Sequence, residues 1–82
     1  MMGRVGVVFK VYANNGEEEK VSREIAEKLK PNGLQLEDVA FGIKIIKVLF
    51  IHEDTEGSSV YEEKLKKIDG VREVEVEEES LL

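Results

Sequence analysis

His52-Glu53-Asp54, followed closely by Ser58 and Ser59, brings a histidine, carboxylates and hydroxyls together in sequence, the residue types of acid–base, metal-binding and nucleophilic chemistry. His52 is the only histidine in the chain. Adjacent strand residues point to opposite faces, so His52 and Glu53 do not converge on one ion without a turn between them. The pattern therefore reads His52 as a solvated strand end, Asp54 and Glu56 as loop-solvating acids, and Ser58 and Ser59 as loop and helix-capping hydroxyls. No serine is supported by the histidine at a spacing that suggests a nucleophile. The chain has no cysteine, which excludes disulfides, Cys-based zinc or iron–sulfur sites and thiol nucleophiles. Gly42, Gly57 and Gly70 are isolated, and no glycine-rich phosphate loop opens a helix. The expectation is no catalytic residue, no metal site and no cofactor.

Recognition is the other chemistry on offer. In Val39-Ala40-Phe41-Gly42-Ile43-Lys44-Ile45-Ile46-Lys47 a Phe-Gly turn runs straight into a long apolar strand carrying two lysines. Glycine opens backbone conformations closed to other residues, and an aromatic beside such a turn does not easily reach the core behind its own strand. Phe41 then faces a partner, with Lys44 able to add a charged contact. The alternative is that Phe41 tucks under the sheet edge and Gly42 forms a bulge. Lys47 reads equally well as a snorkelling member of an apolar strand.

Charge narrows the partner. Twelve Lys and Arg against eighteen Asp and Glu leave a formal charge of −6, with the acidic excess mostly in the carboxyl-terminal third. Nucleic-acid binders gain affinity by releasing counterions from beneath Lys and Arg, and this surface carries the opposite field. An RNA-binding sheet would display stacking aromatics in a basic setting, whereas the last strand here displays glutamates. Direct nucleic-acid binding is disfavoured, and a basic partner fits better. The longest apolar run is too short to span a membrane and no signal-type segment opens the chain, which points to a soluble, cytoplasmic protein without membrane association.

These residues must be positioned by ordinary elements. Val5 to Tyr12 is β-branched and aromatic, with Val5, Val7, Phe9 and Val11 on one face, and reads as a first strand. Asn14-Asn15-Gly16 breaks it, and Asn15 with Glu18 reads as a capping box opening a helix through Lys30. Val21, Ile25 and Leu29, with Ala26 beside them, form its apolar stripe, and Pro31-Asn32-Gly33 ends it. Leu34 to Val39 is a weakly patterned, polar second strand suited to a sheet edge. Ile43 to His52 is apolar on both faces and reads as a central third strand. Ser59 with Glu62 reads as a second capping box, opening a helix with Val60, Tyr61, Leu65 and Ile68, which Asp69-Gly70 stops. Val71 to Glu77 alternates as a fourth strand, Val74 and Val76 inward and glutamates outward.

Eighty-two residues make one small domain, 1–82, too small to spare its core for a large active-site cavity. The order βαββαβ, with helices of roughly equal length, predicts an α+β ferredoxin-like plait: a four-stranded antiparallel sheet covered on one face by two helices, its other face open. Many unrelated functions use this architecture, so function must come from particular residues.

Across Val39 to Lys44, through the apolar strand to Glu53-Asp54, and again from Gly70-Val71 through the last strand, the chain resembles the archaeal elongation factor 1-beta family. That family is similar to the exchange domain at the carboxyl terminus of the eukaryotic elongation factor 1 beta and delta subunits. The likeness spans nearly the whole chain in order and spacing. It implies a guanine-nucleotide exchange factor in translation elongation, one that promotes replacement of GDP by GTP on elongation factor 1-alpha and binds no nucleotide itself. By the same resemblance Phe41 and Gly42 occupy the turn that engages the GTPase, and Ile43 and Lys44 continue the contact.

The departure from the family lies in the final residues. Eukaryotic relatives carry a penultimate lysine that the family picture places near the magnesium and phosphate site of the GTPase. Here Leu81 stands at that position, and it offers no ammonium contacts. Ser80, Leu81 and Leu82 either wedge beside the magnesium site, with the acidic run before them disfavouring phosphate or attracting the cation, or form a frayed, solubilising end. Two further readings stay open on residues alone: a non-catalytic protein-binding module that uses the open sheet face, and a small enzyme built on His52 and its neighbouring acids. Oligomeric state is not legible.

Overall fold

The computed structural model describes residues 3–82, so that Met1 and Met2 of the expected 1–82 domain lie outside the described residues. Six elements follow in the order β1 Arg4–Ala13, α1 Glu18–Leu29, β2 Gly33–Ala40, β3 Ile43–Glu53, α2 Ser59–Lys66 and β4 Val71–Leu81. They form one antiparallel sheet of order β2-β3-β1-β4, the ferredoxin-like α+β plait expected from the element order. β2 is an edge strand and β3 is central, as their polar and apolar patterns predict.

The core follows from alternation. Val7, Phe9 and Val11 of β1 and Ile46, Val48 and Phe50 of β3 point to one face, where Val21 and Ile25 of α1 and Leu65 of α2 close over them. Phe9 meets Phe50 edge-on at 6.1 Å between ring centroids, and Phe50 stacks against Tyr61 of α2 at 4.7 Å. Each such ring removed from water contributes roughly 1.5 to 3 kcal/mol, with a further increment from the ring–ring geometry. Ala26 and Val60, read from sequence as parts of the apolar stripes, are exposed.

Several boundaries differ from the sequence reading. Neither capping box forms. The chain turns through Asn14–Gly16, the N-cap of α1 is Glu17, and no side chain caps either helix, because Asn15 stands too early and Ser58 rather than Ser59 precedes α2. Lys20 instead ties the start of α1 to the turn after α2, lying 3.6 Å from Glu17 and 3.4 Å from Asp69. The helices are unequal, twelve residues against eight.

The largest correction concerns β4, which continues past Glu77 to Leu81. Val76 pairs with Phe9 but Glu78 pairs with Val8, so Glu77 is an extra residue in the ladder, a β-bulge. One inserted residue reverses the alternation. Val74 and Val76 share the helix-covered face before the bulge, and Glu79 and Leu81 share it after. Val76 is nevertheless 48% exposed, lying on an edge strand beyond the cover of the helices.

Candidate functional site

Phe41 and Gly42 form the two-residue loop between β2 and β3, closed by the pairing of Ala40 with Ile43. Both have positive φ, +51° and +77°, the combination that a type I′ hairpin requires. Glycine adopts this region freely, whereas for phenylalanine it carries a steric cost of about 1 to 2 kcal/mol. The Phe41 side chain recovers none of that cost inside the fold, because the residue is 101% exposed. The alternative of an aromatic tucked under the sheet edge is therefore overturned. A bulge does occur nearby, one step earlier, between Asp38 and Ala40.

Around the tip, Ile43 and Val39 are about half exposed, so the hairpin presents a contiguous apolar end. Lys44 is half-buried and paired in register with Asp38, which places its charge at the flank of that end. Lys47 has a different environment. Its Nζ lies 3.1 Å from Glu77 and 3.2 Å from Glu37 on the open sheet face. Hydrogen bonding first to Glu77 and then to Glu37 raises its pKa above the ordinary 10.5, against a smaller opposing effect of desolvation. Lys47 is thus held within the fold as a cross-strand tie.

Ser80, Leu81 and Leu82 are at the other end. Leu81 pairs with Val5, and the Leu82 N–H donates to the Arg4 carbonyl at 2.8 Å. The Leu82 side chain lies over Gly6, where a Cβ would stand 3.4 Å from its Cδ1. This end is a paired strand and is not frayed. β3 runs between the two ends, and the eight steps from Ile43 to Ile51, which lies level with Gly6 and Ser80, span roughly 26 Å at about 3.3 Å per residue. The sequence-predicted residues thus form two groups at opposite ends of a molecule 45 Å long: Phe41, Gly42, Ile43 and Lys44, and Ser80, Leu81 and Leu82.

His52 is corrected outright. It is only 5% exposed, because β3 extends beyond it to Glu53 and Tyr61 of α2 stacks on its ring at 5.2 Å. Its Nδ1 donates to the Glu53 carbonyl at 2.7 Å, and its Nε2 lies 3.0 Å from Ser58 Oγ, which also bonds Glu79. Sequence spacing missed this histidine-supported serine, since the contact needs the Glu53–Gly57 loop to fold back and the bulge at Glu77 to turn Glu79 inward. The wiring differs from a catalytic triad, in which the imidazole stands between hydroxyl and carboxylate. Here the hydroxyl stands between the other two. A shallow cavity of about 330 Å³ opens beside the three, walled by Val5, Asp54 and Leu81. Asp54 accepts the Gly3 N–H at 3.2 Å. Tyr61 has its pKa raised above 10.0, first by burial and then by the charge of Glu56. Among the described residues no group of three or more His, Cys, Asp or Glu side chains is placed to hold a metal, and no helix is long and apolar enough to cross a membrane.

This geometry of two exposed ends on one continuous sheet, with the polar cluster turned to internal bonding, offers contact surfaces. Comparison with known proteins names the context. Residues 7–82 match the family model described as the EF-1 guanine nucleotide exchange domain. Elongation factor 1-beta of Aeropyrum pernix is 42% identical over 86 aligned residues, covering 93% of this chain and 93% of that protein. Elongation factor 1-beta of Haloarcula marismortui is 31% identical over 83, covering 93% and 94%. No solved structure matches. Through residues 7–82, nearly the whole of its sheet and both helices, this chain belongs to the EF-1 guanine nucleotide exchange domain family.

Proposed function

We propose that this chain acts as one domain over residues 1–82, in the cytoplasm, to accelerate GDP release from elongation factor 1-alpha so that GTP can replace it. Family membership supports guanine-nucleotide exchange, the elongation-factor names of the archaeal relatives support a translational GTPase as the partner, and elongation factor 1-alpha is the GTPase that the resemblance implies. The factor performs no covalent chemistry and holds no nucleotide. It binds more tightly to the GTPase whose nucleotide site is disturbed, and by reciprocity the nucleotide weakens the factor by the same ratio. A thousandfold acceleration asks for about 4 kcal/mol off the release barrier, within reach of displacing magnesium, phosphate and switch-loop contacts.

The observation that carries the contact assignment is Phe41, an aromatic held fully in solvent in a backbone conformation that costs folding energy. Strain with no compensating contact inside the fold is the mark of a residue kept for a partner. Phe41, Gly42, Ile43 and Lys44 would seat in one region of the GTPase, and Ser80, Leu81 and Leu82 in another roughly 26 Å away along the sheet. The rigid sheet between the two ends lets binding at one be spent on distortion at the other. The test is release of fluorescent GDP from purified elongation factor 1-alpha, with excess unlabelled nucleotide and substoichiometric factor. Catalytic acceleration is expected; binding without acceleration would leave a passive protein-binding module instead.

A further inference from the structure

We infer that His52, Ser58 and Glu79 form a proton-linked clamp that positions the carboxyl-terminal strand end, Ser80 to Leu82, for the GTPase. The inference rests on the proposal that this end is a contact surface. Glu79 immediately precedes those residues, and it is drawn into the helix-covered face only because the bulge at Glu77 reverses the strand's alternation. Ser58 stands at the start of α2 and His52 is buried in β3, so three elements that are far apart in sequence meet on one hydroxyl.

Counting protons shows what the clamp requires. A carbonyl only accepts, so the contact to Glu53 O fixes the hydrogen of a neutral imidazole on Nδ1 and leaves Nε2 an acceptor. An ionised Glu79 also only accepts. Ser58 has one hydroxyl proton and faces both. With neutral imidazole and ionised carboxylate, one of the two contacts has no proton. One added proton completes the chain: Nε2–H donates to Ser58 Oγ, and Oγ–H donates to Glu79. Placing that proton on Glu79 gives the same count with the direction reversed. The clamp is therefore closed in the state that carries the extra proton and loosens as pH rises.

The other titratable and charged groups around the ring do not replace that proton. Tyr61 stacks on the ring face of His52, and Lys64 Nζ lies over the Tyr61 ring, 5.4 Å from its centroid. Asp54 and Glu56 line the cavity beside the cluster, and Asp54 is occupied by the Gly3 N–H. Arg4 and Glu53 are partners in register one step beyond Val5 and His52, and so belong to the opposite sheet face.

The test is amide hydrogen exchange at Leu82, whose N–H bonds the Arg4 carbonyl, in the whole chain, corrected for intrinsic rates, between about pH 5 and 8. Protection of this amide is expected to fall as pH rises, while Phe9 and Val11, paired to β3 in the core, stay constant. Ser58→Ala should lower the protection of Leu82 roughly tenfold at the acidic end, the effect of losing about one charge-assisted hydrogen bond. Glu79→Gln should keep protection but remove its pH dependence, since a carboxamide N–H can supply the missing donor. Uniform protection across pH in the parent chain, or pH dependence that survives Glu79→Gln, would overturn the clamp. GDP release measured on the same variants separates the two ideas: a loosened amide with unchanged exchange would leave the clamp standing and remove the strand end from the contact surface.

Discussion

Lys10 on β1 and Lys47 on β3 stand directly opposite one another on the uncovered face of the sheet. Like charges paired across strands are destabilising, and the fold answers with Glu77, whose Oε1 lies 3.8 Å from Lys10 and 3.1 Å from Lys47. Glu77 is the bulge residue itself, so one inserted position both supplies the counter-charge to this face and turns Glu79 to the other. Glu77→Gln should lower the Tm by a few degrees, as expected for losing a partly exposed charge network. The deficit should shrink in high salt, because screening weakens the Lys10–Lys47 repulsion that the substitution leaves unbalanced. A deficit unchanged by salt would place the effect in the bulge backbone instead.

Phe41→Asn separates folding from function. Asparagine tolerates positive φ and completes the Asn-Gly pair favoured in type I′ turns, so the variant should be more stable by about 1 kcal/mol in urea unfolding. Since Phe41 buries nothing within its own fold, no packing is lost. Exchange activity should fall at least tenfold if Phe41 anchors the GTPase contact, because aromatic anchors commonly carry 2 kcal/mol or more. A variant both more stable and fully active would remove Phe41 from the contact.

Alkaline pH should unfold the chain more readily. Lys47 is raised above 10.5 first by its hydrogen bond to Glu77, Lys20 above 10.5 first by its hydrogen bond to Asp69, and Tyr61 above 10.0 first by burial. In each case the folded state holds its proton more tightly than the unfolded chain does. The associated stability is complete below the unfolded values and is lost as pH rises through the folded ones. Urea midpoints should be flat from about pH 8 to 9.5 and decline above about pH 10. Tyr61→Phe should remove its share of the decline while retaining the stack on Phe50. A midpoint constant to pH 11 would contradict this.

Much of this architecture can be read locally. Val7, Phe9 and Val11 alternate without interruption, Val21 and Ile25 recur at helical spacing, and both patterns are dictated by residues a few positions apart. The hairpin at Phe41-Gly42 is legible for the same reason, since two residues and their flanking strands define it. What local pattern does not carry is register between strands. Nothing in Val74-Glu75-Val76-Glu77-Glu78-Glu79 marks Glu77 as the inserted residue, because a run of glutamates has no apolar member to show which face it takes. Once the bulge is missed, Glu79 reads as outward, the His52–Ser58 pairing has no third member, and the final residues read as a tail rather than a strand. The burial of His52 is hidden for the same kind of reason: it depends on Tyr61, which comes nine positions later on α2.

Deleting Ser80 to Leu82 tests whether the strand end acts on the GTPase or only finishes the sheet. The deletion removes the Val5–Leu81 pairing, the Leu82 N–H bond to Arg4 and the cover over Gly6. Both leucines are largely exposed, so little apolar burial goes with them, and the loss of stability should be about 1 to 2 kcal/mol, mostly backbone hydrogen bonding. Such a domain still folds, which makes its activity interpretable. On the proposed two-ended contact, binding through the Phe41 end should persist while acceleration of GDP release falls tenfold or more, since the end that disturbs the nucleotide site is gone. Titrating the shortened chain against elongation factor 1-alpha by competition with the full chain measures the first quantity, and stopped-flow GDP release measures the second. Equal loss of both would mean that the strand end contributes affinity alone. Full retention of release would confine the working surface to the hairpin, leaving Leu81 and Leu82 as the last rung of the sheet.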